Sequence, residues 1–237
     1  KKNLLALAFL VGLLTCCKSE DAPIKPVKPT DPGSINKEYM SRAETTFANI
    51  FKYYWSDKVR MMFGSYPNTL GTPQEPSSPD YDSHAYLWGL GSVVSAFNAI
   101  VQNTDNVDFR MTYESRLKET LLKYYNTTKE PMCFGCFVNP HDQRLYDDAI
   151  WVGIDLADLY SKTKDSWYLD YAKSVWNFVL SGKDDELGGG VYWDENAKDS
   201  KNTCSNAPAV VLALKLYQIT NDAAYLENGK DIYKWTK

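Results

Sequence analysis

At 237 residues, 44% of them apolar, the chain is long enough for one sizeable core and short for two. Its formal charge of −4 comes without a basic cluster, so no nucleic-acid partner is expected. The excess is aromatic, 14% of residues with 7 Trp and 17 Tyr, and such rings fill cores and stack on sugar faces alike.

The first stretch, KKNLLALAFLVGLLTCCKSED, has the layout of a secretory signal: two lysines, an apolar run from Leu4 to Leu14, then small residues and two cysteines. A membrane-spanning helix needs roughly 20 apolar residues and this run is shorter, so a transmembrane anchor is not expected. Leu14-Thr15-Cys16-Cys17 resembles a bacterial lipobox, with Cys17 as the residue to be lipidated and Cys16 as the second choice. The acidic residues just after it, Glu20 and Asp21, resemble the signal that sends Bacteroidetes lipoproteins to the outer cell surface. An ordinary secreted protein with incidental cysteines is the alternative. The missing initiator Met implies a trimmed start. Residues 18–34 carry Pro23, Pro26, Pro29 and Pro32 and little that a core could use, which describes an extended tether. The expected division is a signal peptide at 1–17, a tether at 18–34 and a folded domain at 35–237, lipid-anchored to the outer membrane and monomeric.

From Ile35 onward the pattern is helical. KEYMSRAETTFANIFKYYW is one amphipathic helix, and AYLWGLGSVVSAFNAIVQNTD with YESRLKETLLKYY forms a first hairpin. Two further hairpins repeat at an offset of 57, which pairs Tyr160 with Tyr217, Asp165 with Asp222 and Lys173 with Lys230. In each, an Asp after a short polar turn is a plausible N-cap. Such hairpins bury their apolar faces only by stacking, in a closed ring or an open solenoid. Long connections at 62–82, 126–146 and 181–206 alternate with the short turns, which gathers them at one end of the stack, where sites are usually built. The helical pattern runs to Lys237 without a cap, from which the chain is expected to be the N-terminal part of a longer protein.

Of the cysteines in the folded part, Cys133 and Cys136 have a spacing that suits zinc. A closed site needs four ligands, and His84 and His141 are the few extra candidates. A disulfide between two of Cys133, Cys136 and Cys204, or buried free thiols, is the simpler reading.

Three polar junctions precede the inner helices: SPDYDSHAYLWG, NPHDQRLYDDAIWVG and KNTCSNAPAVV. Asp147 and Asp148 in the second admit two readings. Adjacent carboxyl groups repel, which raises one pKa above the other and prepares an acid beside a nucleophile. Equally, aspartates at a helix start cap backbone N–H groups and meet the positive end of the dipole.

The strings LYDDAIWVGIDLADLY, GGGVYWDE and KNTCSNAPAVVLALKLYQIT, in that order, resemble glycoside hydrolase family 76, the endo-α-1,6-mannanases. The resemblance implies an all-α (α/α)6 toroid of helical hairpins, only its N-terminal part present. It implies retaining endo-hydrolysis of α-1,6-mannosidic bonds in mannan or manno-oligosaccharides, with Asp147 as nucleophile and Asp148 as acid/base and with neither metal nor organic cofactor. By position it also places Asn202, Asn206 and Pro208 beside the scissile bond, and Gly188 to Gly190 with Tyr192 and Trp193 on a glycine-aromatic loop at the substrate. Tyr146 is a further expected sugar contact; Tyr81, His84, Tyr86 and Trp88 match less sharply, with His84 read either as a bond to a mannose hydroxyl or, more simply, as a structural histidine. As helix chemistry alone, Asn206 reads as an N-cap with Pro208 in the first turn. Two other functions fit the chain: a non-catalytic glycan-binding surface lipoprotein, and a different (α/α)6 sugar enzyme such as an unsaturated-uronide hydrolase.

Overall fold

Phe47 and Phe51 sit one turn apart on the first helix and bury their rings among Phe97, Phe109 and Tyr113, an aromatic knot that fastens this helix to the next two. The computed structural model describes residues 37–67, 84–138 and 143–237. The signal peptide, the tether, Cys17, Tyr81 and His141 lie outside the described residues.

Seven α-helices are found among the described residues: α1 (Lys37–Tyr54), α2 (Leu87–Asn103), α3 (Val107–Tyr124), α4 (Tyr146–Thr163), α5 (Ser166–Ser181), α6 (Thr203–Thr220) and α7 (Ala223–Thr236). None is long and apolar enough to cross a membrane. The expected hairpins are present as α2–α3, α4–α5 and α6–α7. The 57-residue repeat extends to single atoms. Lys164 and Asn221 both end their helices in the left-handed conformation, at φ 61° and 56°. Asp165 and Asp222 then cap the next helices, accepting from Trp167 N at 3.0 Å and Ala224 N at 2.9 Å. Thr163 and Thr220 accept from the N–H groups of those two aspartates. Identical turn chemistry produces an identical reversal.

Helix α4 is buried nearly all round, because α2 flanks it on one side, α6 on the other and α5 behind it. Its close fit depends on Gly153, where a Cβ would lie 2.9 Å from Val175 and 3.1 Å from Leu212. A polar ladder also ties this inner row together. Asp155 accepts from Ser95 Oγ and from Asn98 Nδ2 at 2.8 Å, and Asp158 pairs with Lys215 at 2.5 Å, which links α2, α4 and α6. Burial pushes the Asp155 carboxyl up, and the two donors from α2 pull it back.

The long connections are less bare than the sequence indicates. Two antiparallel ribbons occur in them: β1 (Trp55–Ser56) with β2 (Met61–Met62), and β3 (Tyr125–Asn126) with β4 (Cys133–Phe134). Both lie where an outer helix ends and the chain returns to an inner helix. All three such returns, into α2, α4 and α6, are long, while the turns at 104–106, 164–165 and 221–222 are short. Alternation of long and short connections puts the starts of the inner helices and their loops at one end.

Candidate active site

Asp147 and Asp148 occupy the second and third positions of α4, and neither caps it. The N-cap is Leu145, which has no side chain to offer, whereas Asn106, Asp165 and Asp222 cap their helices through side-chain oxygens. The start of α4 is held instead by a strand-like pairing with the glycine-aromatic loop. Tyr146 N donates to Trp193 O at 3.0 Å, Glu195 N donates to Arg144 O at 3.2 Å, and Leu145 bridges Asp194. With the backbone so engaged, both aspartate side chains are left for other partners.

Their surroundings differ. Burial, followed by the charge of Asp147, pushes the Asp148 carboxyl up from its ordinary 3.8 to about 6, and the Cys136 thiol, which donates to it, pulls weakly the other way. Cys136 is 4% exposed, and its own thiol is pushed up to about 12 by burial and then by Asp148. Asp147 has another neighbour set. Its Oδ2 accepts from Trp193 Nε1 at 3.3 Å, and its Oδ1 is buried without a hydrogen-bond partner among the described residues. The Cys204 thiol lies beside Asp147 and is pushed up by burial and by that charge. Two adjacent carboxyls, one disposed to hold a proton near neutral pH, make a pair capable of acid and nucleophile chemistry.

Arg144 and Glu195 frame the pair. Arg144 is fully buried, its Nε donates to Glu195 Oε2 at 2.8 Å, its Nη2 reaches Glu195 Oε1, and its Nη1 reaches the carbonyls of Pro131 and Lys129 at 2.7 and 3.1 Å. The guanidinium also lies over the Phe178 ring at 4.7 Å. Burial pushes the Glu195 carboxyl up, yet Arg144 and Lys129 together hold it below its ordinary range. Sequence reasoning missed this pair and the two thiols. A basic residue three positions before one quoted motif aspartate and an acidic residue ending another motif were the available sign.

Several expected sugar contacts prove to be internal. Tyr146 is 1% exposed and stacks on Phe178 with ring centroids 4.3 Å apart, and its ring fills the place of a Cβ at Gly182. It is a core residue. Tyr192 is 2% exposed under the Lys201 ammonium, which itself reaches Asp184 Oδ1 at 2.6 Å and Glu186 O at 2.6 Å. Asn206 is also wholly buried. Its amide accepts from Val191 N at 2.7 Å and donates to Val191 O at 2.8 Å, so it serves as a side-chain strand partner for the loop. The N-cap of α6 is Asn202, four residues earlier than Asn206, and Pro208 lies inside the helix beyond its first turn. The Asn206 amide is spent on the loop and not on capping. Gly188, Gly189 and Gly190 all take positive φ (82°, 105°, 77°), and a Cβ on Gly190 would lie 2.6 Å from Trp235 and 2.9 Å from Asn206 Oδ1. The close approach that needs glycine is therefore to Trp235 and Asn206.

Trp193 and Asn202 keep access to solvent, Trp193 at the aspartates and Asn202 at the start of α6 two residues before Cys204. His84 bridges and stacks on Phe63 and lines a cleft of about 750 Å³ with Tyr54, Tyr86 and Trp88. Between the lining residues Tyr86 and Trp88, Leu87 N donates to Cys136 O at 2.9 Å. Cys133, Cys136 and Cys204 form no disulfide. The first two are the buried free thiols expected as one option, and Cys204 is exposed. Among the described residues no three His, Cys, Asp or Glu converge as metal ligands.

Compared with known proteins, residues 38–237 match the family profile described as Glycosyl hydrolase family 76. The comparison with curated proteins finds no match. Among solved structures, a family 76 glycoside hydrolase from a bovine Bacteroides thetaiotaomicron strain is 30% identical with a TM-score of 0.71, over 84% of this chain and 42% of that one. A family 76 mannosidase from Bacteroides thetaiotaomicron is 24% identical with a TM-score of 0.69, over 83% of this chain and 53% of that one. An inactive variant of an α-1,6-mannanase from Salegentibacter sp., with two consecutive aspartates replaced by alanine and α-1,6-mannotetraose bound, is 23% identical with a TM-score of 0.61, over 84% and 50%. The hairpins are thus those of an (α/α)6 toroid, and the chain spans about half the length of these relatives.

Proposed function

Because this chain belongs to glycosyl hydrolase family 76, we propose that its aspartate pair hydrolyses α-1,6-mannosidic bonds within mannan, with retention of configuration. Asp147 attacks the anomeric carbon while Asp148 gives its proton to the departing glycosidic oxygen. Asp148, now a carboxylate, then takes a proton from the water that cleaves the glycosyl–Asp147 ester. The observation that carries this reading is the unequal environment of the two carboxyls, in which burial keeps Asp148 protonated up to about pH 6. The mannotetraose-bound relative lends support, its two consecutive aspartates replaced in an inactive variant.

The test is incubation with unbranched α-1,6-mannan, with oligosaccharides followed by chromatography and the first-formed anomer by proton NMR. Shorter oligosaccharides released first as the α-anomer are expected. Release of the β-anomer would contradict the double displacement, and mannan binding without any cleavage would favour a glycan-capture protein. Since Asp148 must be protonated for the first step, kcat/KM is expected to fall as pH rises through about 6. The groups facing Asp148 are Asp147 and Cys136, with Asp194 near the thiol. A basic limb above pH 8 would remove Asp148 from the role of acid.

We further propose that the protein acts at the outer membrane surface, anchored through a lipid on Cys17 and held off by the proline-rich tether. Cys17→Ser is expected to move the full protein from the membrane to the soluble fraction, and unchanged membrane retention would rule the anchor out.

A further inference from the structure

We propose that Trp193 is a positioning residue for Asp147 and not a sugar platform: its indole N–H orients the carboxylate that attacks the anomeric carbon. This rests on the role given above to Asp147. A platform role would use the face of the ring, whereas a positioning role uses its polar N–H edge. Here the edge is committed, with Nε1 donating to Asp147 Oδ2 at 3.3 Å. Asp147 Oδ1 accepts no hydrogen bond among the described residues, and the neighbouring Cys204 thiol is a weak donor. Of the two donors beside Asp147, the indole N–H and the Cys204 thiol, the indole is the stronger and sets how the carboxylate plane is turned.

The indole is itself held from behind. Trp193 O accepts from Tyr146 N at 3.0 Å, one residue before Asp147, and Trp193 N donates to Ser200 O at 3.2 Å. Next along, Asp194 accepts from Asn196 N at 2.8 Å, and Glu195 is locked to the buried Arg144. On the other side, Asn206 grips both backbone groups of Val191. Hence the segment 191–195 is fixed at nearly every residue, and its one half-exposed large ring is aimed at the nucleophile. The buried Tyr192, Asn206 and Arg144, with the half-buried Glu195, acquire a common purpose as the frame that sets the Trp193 edge. A supporting frame of this kind matters because small misplacements of a reacting group are costly in rate.

The test is Trp193→Phe, which keeps an aromatic face and removes the N–H. On α-1,6-mannotetraose, kcat is expected to fall about 10-fold with KM within about twofold, as for loss of one hydrogen bond to a charged group. An unchanged kcat, or a raised KM with kcat intact, would overturn the proposal in favour of a platform. A second comparison uses Asp147→Ala with an aryl α-manno-oligosaccharide and azide. Azide attacks the anomeric carbon, the C–N bond forms, the bond from that carbon to the aryloxy oxygen breaks and the phenolate leaves. If Trp193 acts through Asp147, adding Trp193→Phe leaves the azide-dependent rate unchanged. A further 10-fold fall there would show that the indole acts elsewhere, or only on folding, and would also overturn the proposal. Should Asp147→Ala alone retain wild-type hydrolysis of mannan, the role of Asp147 fails, which is a distinct result from either outcome for Trp193.

Discussion

Asp148→Asn is expected to lower kcat/KM on α-1,6-mannan by roughly 10²–10⁴-fold, the usual share of a general acid, while making the protein more stable at pH 7.5. The two effects have one cause. The folded site raises the Asp148 carboxyl from 3.8 to about 6, so the fold binds this proton more tightly than the unfolded chain does. The resulting destabilisation is absent below about pH 3.8, grows between there and about 6, and is present in full above. It is on the order of 2–3 kcal/mol by linkage, and a neutral asparagine removes it. Thermal melts at pH 4 and 7.5 check the sign: the variant gains over wild type only at the higher pH. Leaving groups sort the two aspartates. Aryl mannosides that need no protonation should be opened by Asp148→Asn but not by Asp147→Ala. Equal loss on both substrates by both variants would dismiss the division of roles.

Arg144→Met should be the most damaging single change outside the pair. It strands Glu195 half-buried without its strongest partner and leaves the carbonyls of Lys129 and Pro131 unsatisfied. Breaking a buried ion pair from one side costs about 3–5 kcal/mol, which for a domain of this size lowers the melting temperature by roughly 10 °C. Since the same arginine sits at the pairing of residues 144–146 with 193–195, activity should fall further than stability alone accounts for. Kinetics well below the melting temperature separate the two losses. A melting temperature within about 2 °C of wild type would show that the pair is dispensable.

How far the sequence could be read depended on range. Asp165 and Asp222 announce their caps because the bond each makes reaches only two residues along the chain. The offset of 57 was visible for the same reason, as two copies of a local turn. Sequence position puts Tyr146, Tyr192 and Asn206 at a polar junction, while the contacts that bury them lie elsewhere: Phe178 for the first, Lys201 for the second, Val191 for the third. Polar or amphipathic side chains beside a site are as often its frame as its lining, and only burial separates these cases. By spacing Cys136 suits zinc with Cys133, and Cys204 reads as a disulfide partner or a free thiol. The structure places one against each aspartate.

The chain by itself thus determines seven helices among the described residues, their hairpin pairing and the end of the stack where the aspartates stand, because helix periodicity, caps and turns are written within a few residues of each other. It also contains the adjacent aspartates, but not their difference. That Asp148 binds its proton more tightly than an ordinary aspartate while Asp147 meets an indole N–H was decided only by tertiary structure, which brings residues 136, 193 and 204 to the start of α4. Proton affinity depends on solvent exclusion and on charges and donors within a few ångströms, and those are set by packing between segments far apart in the chain.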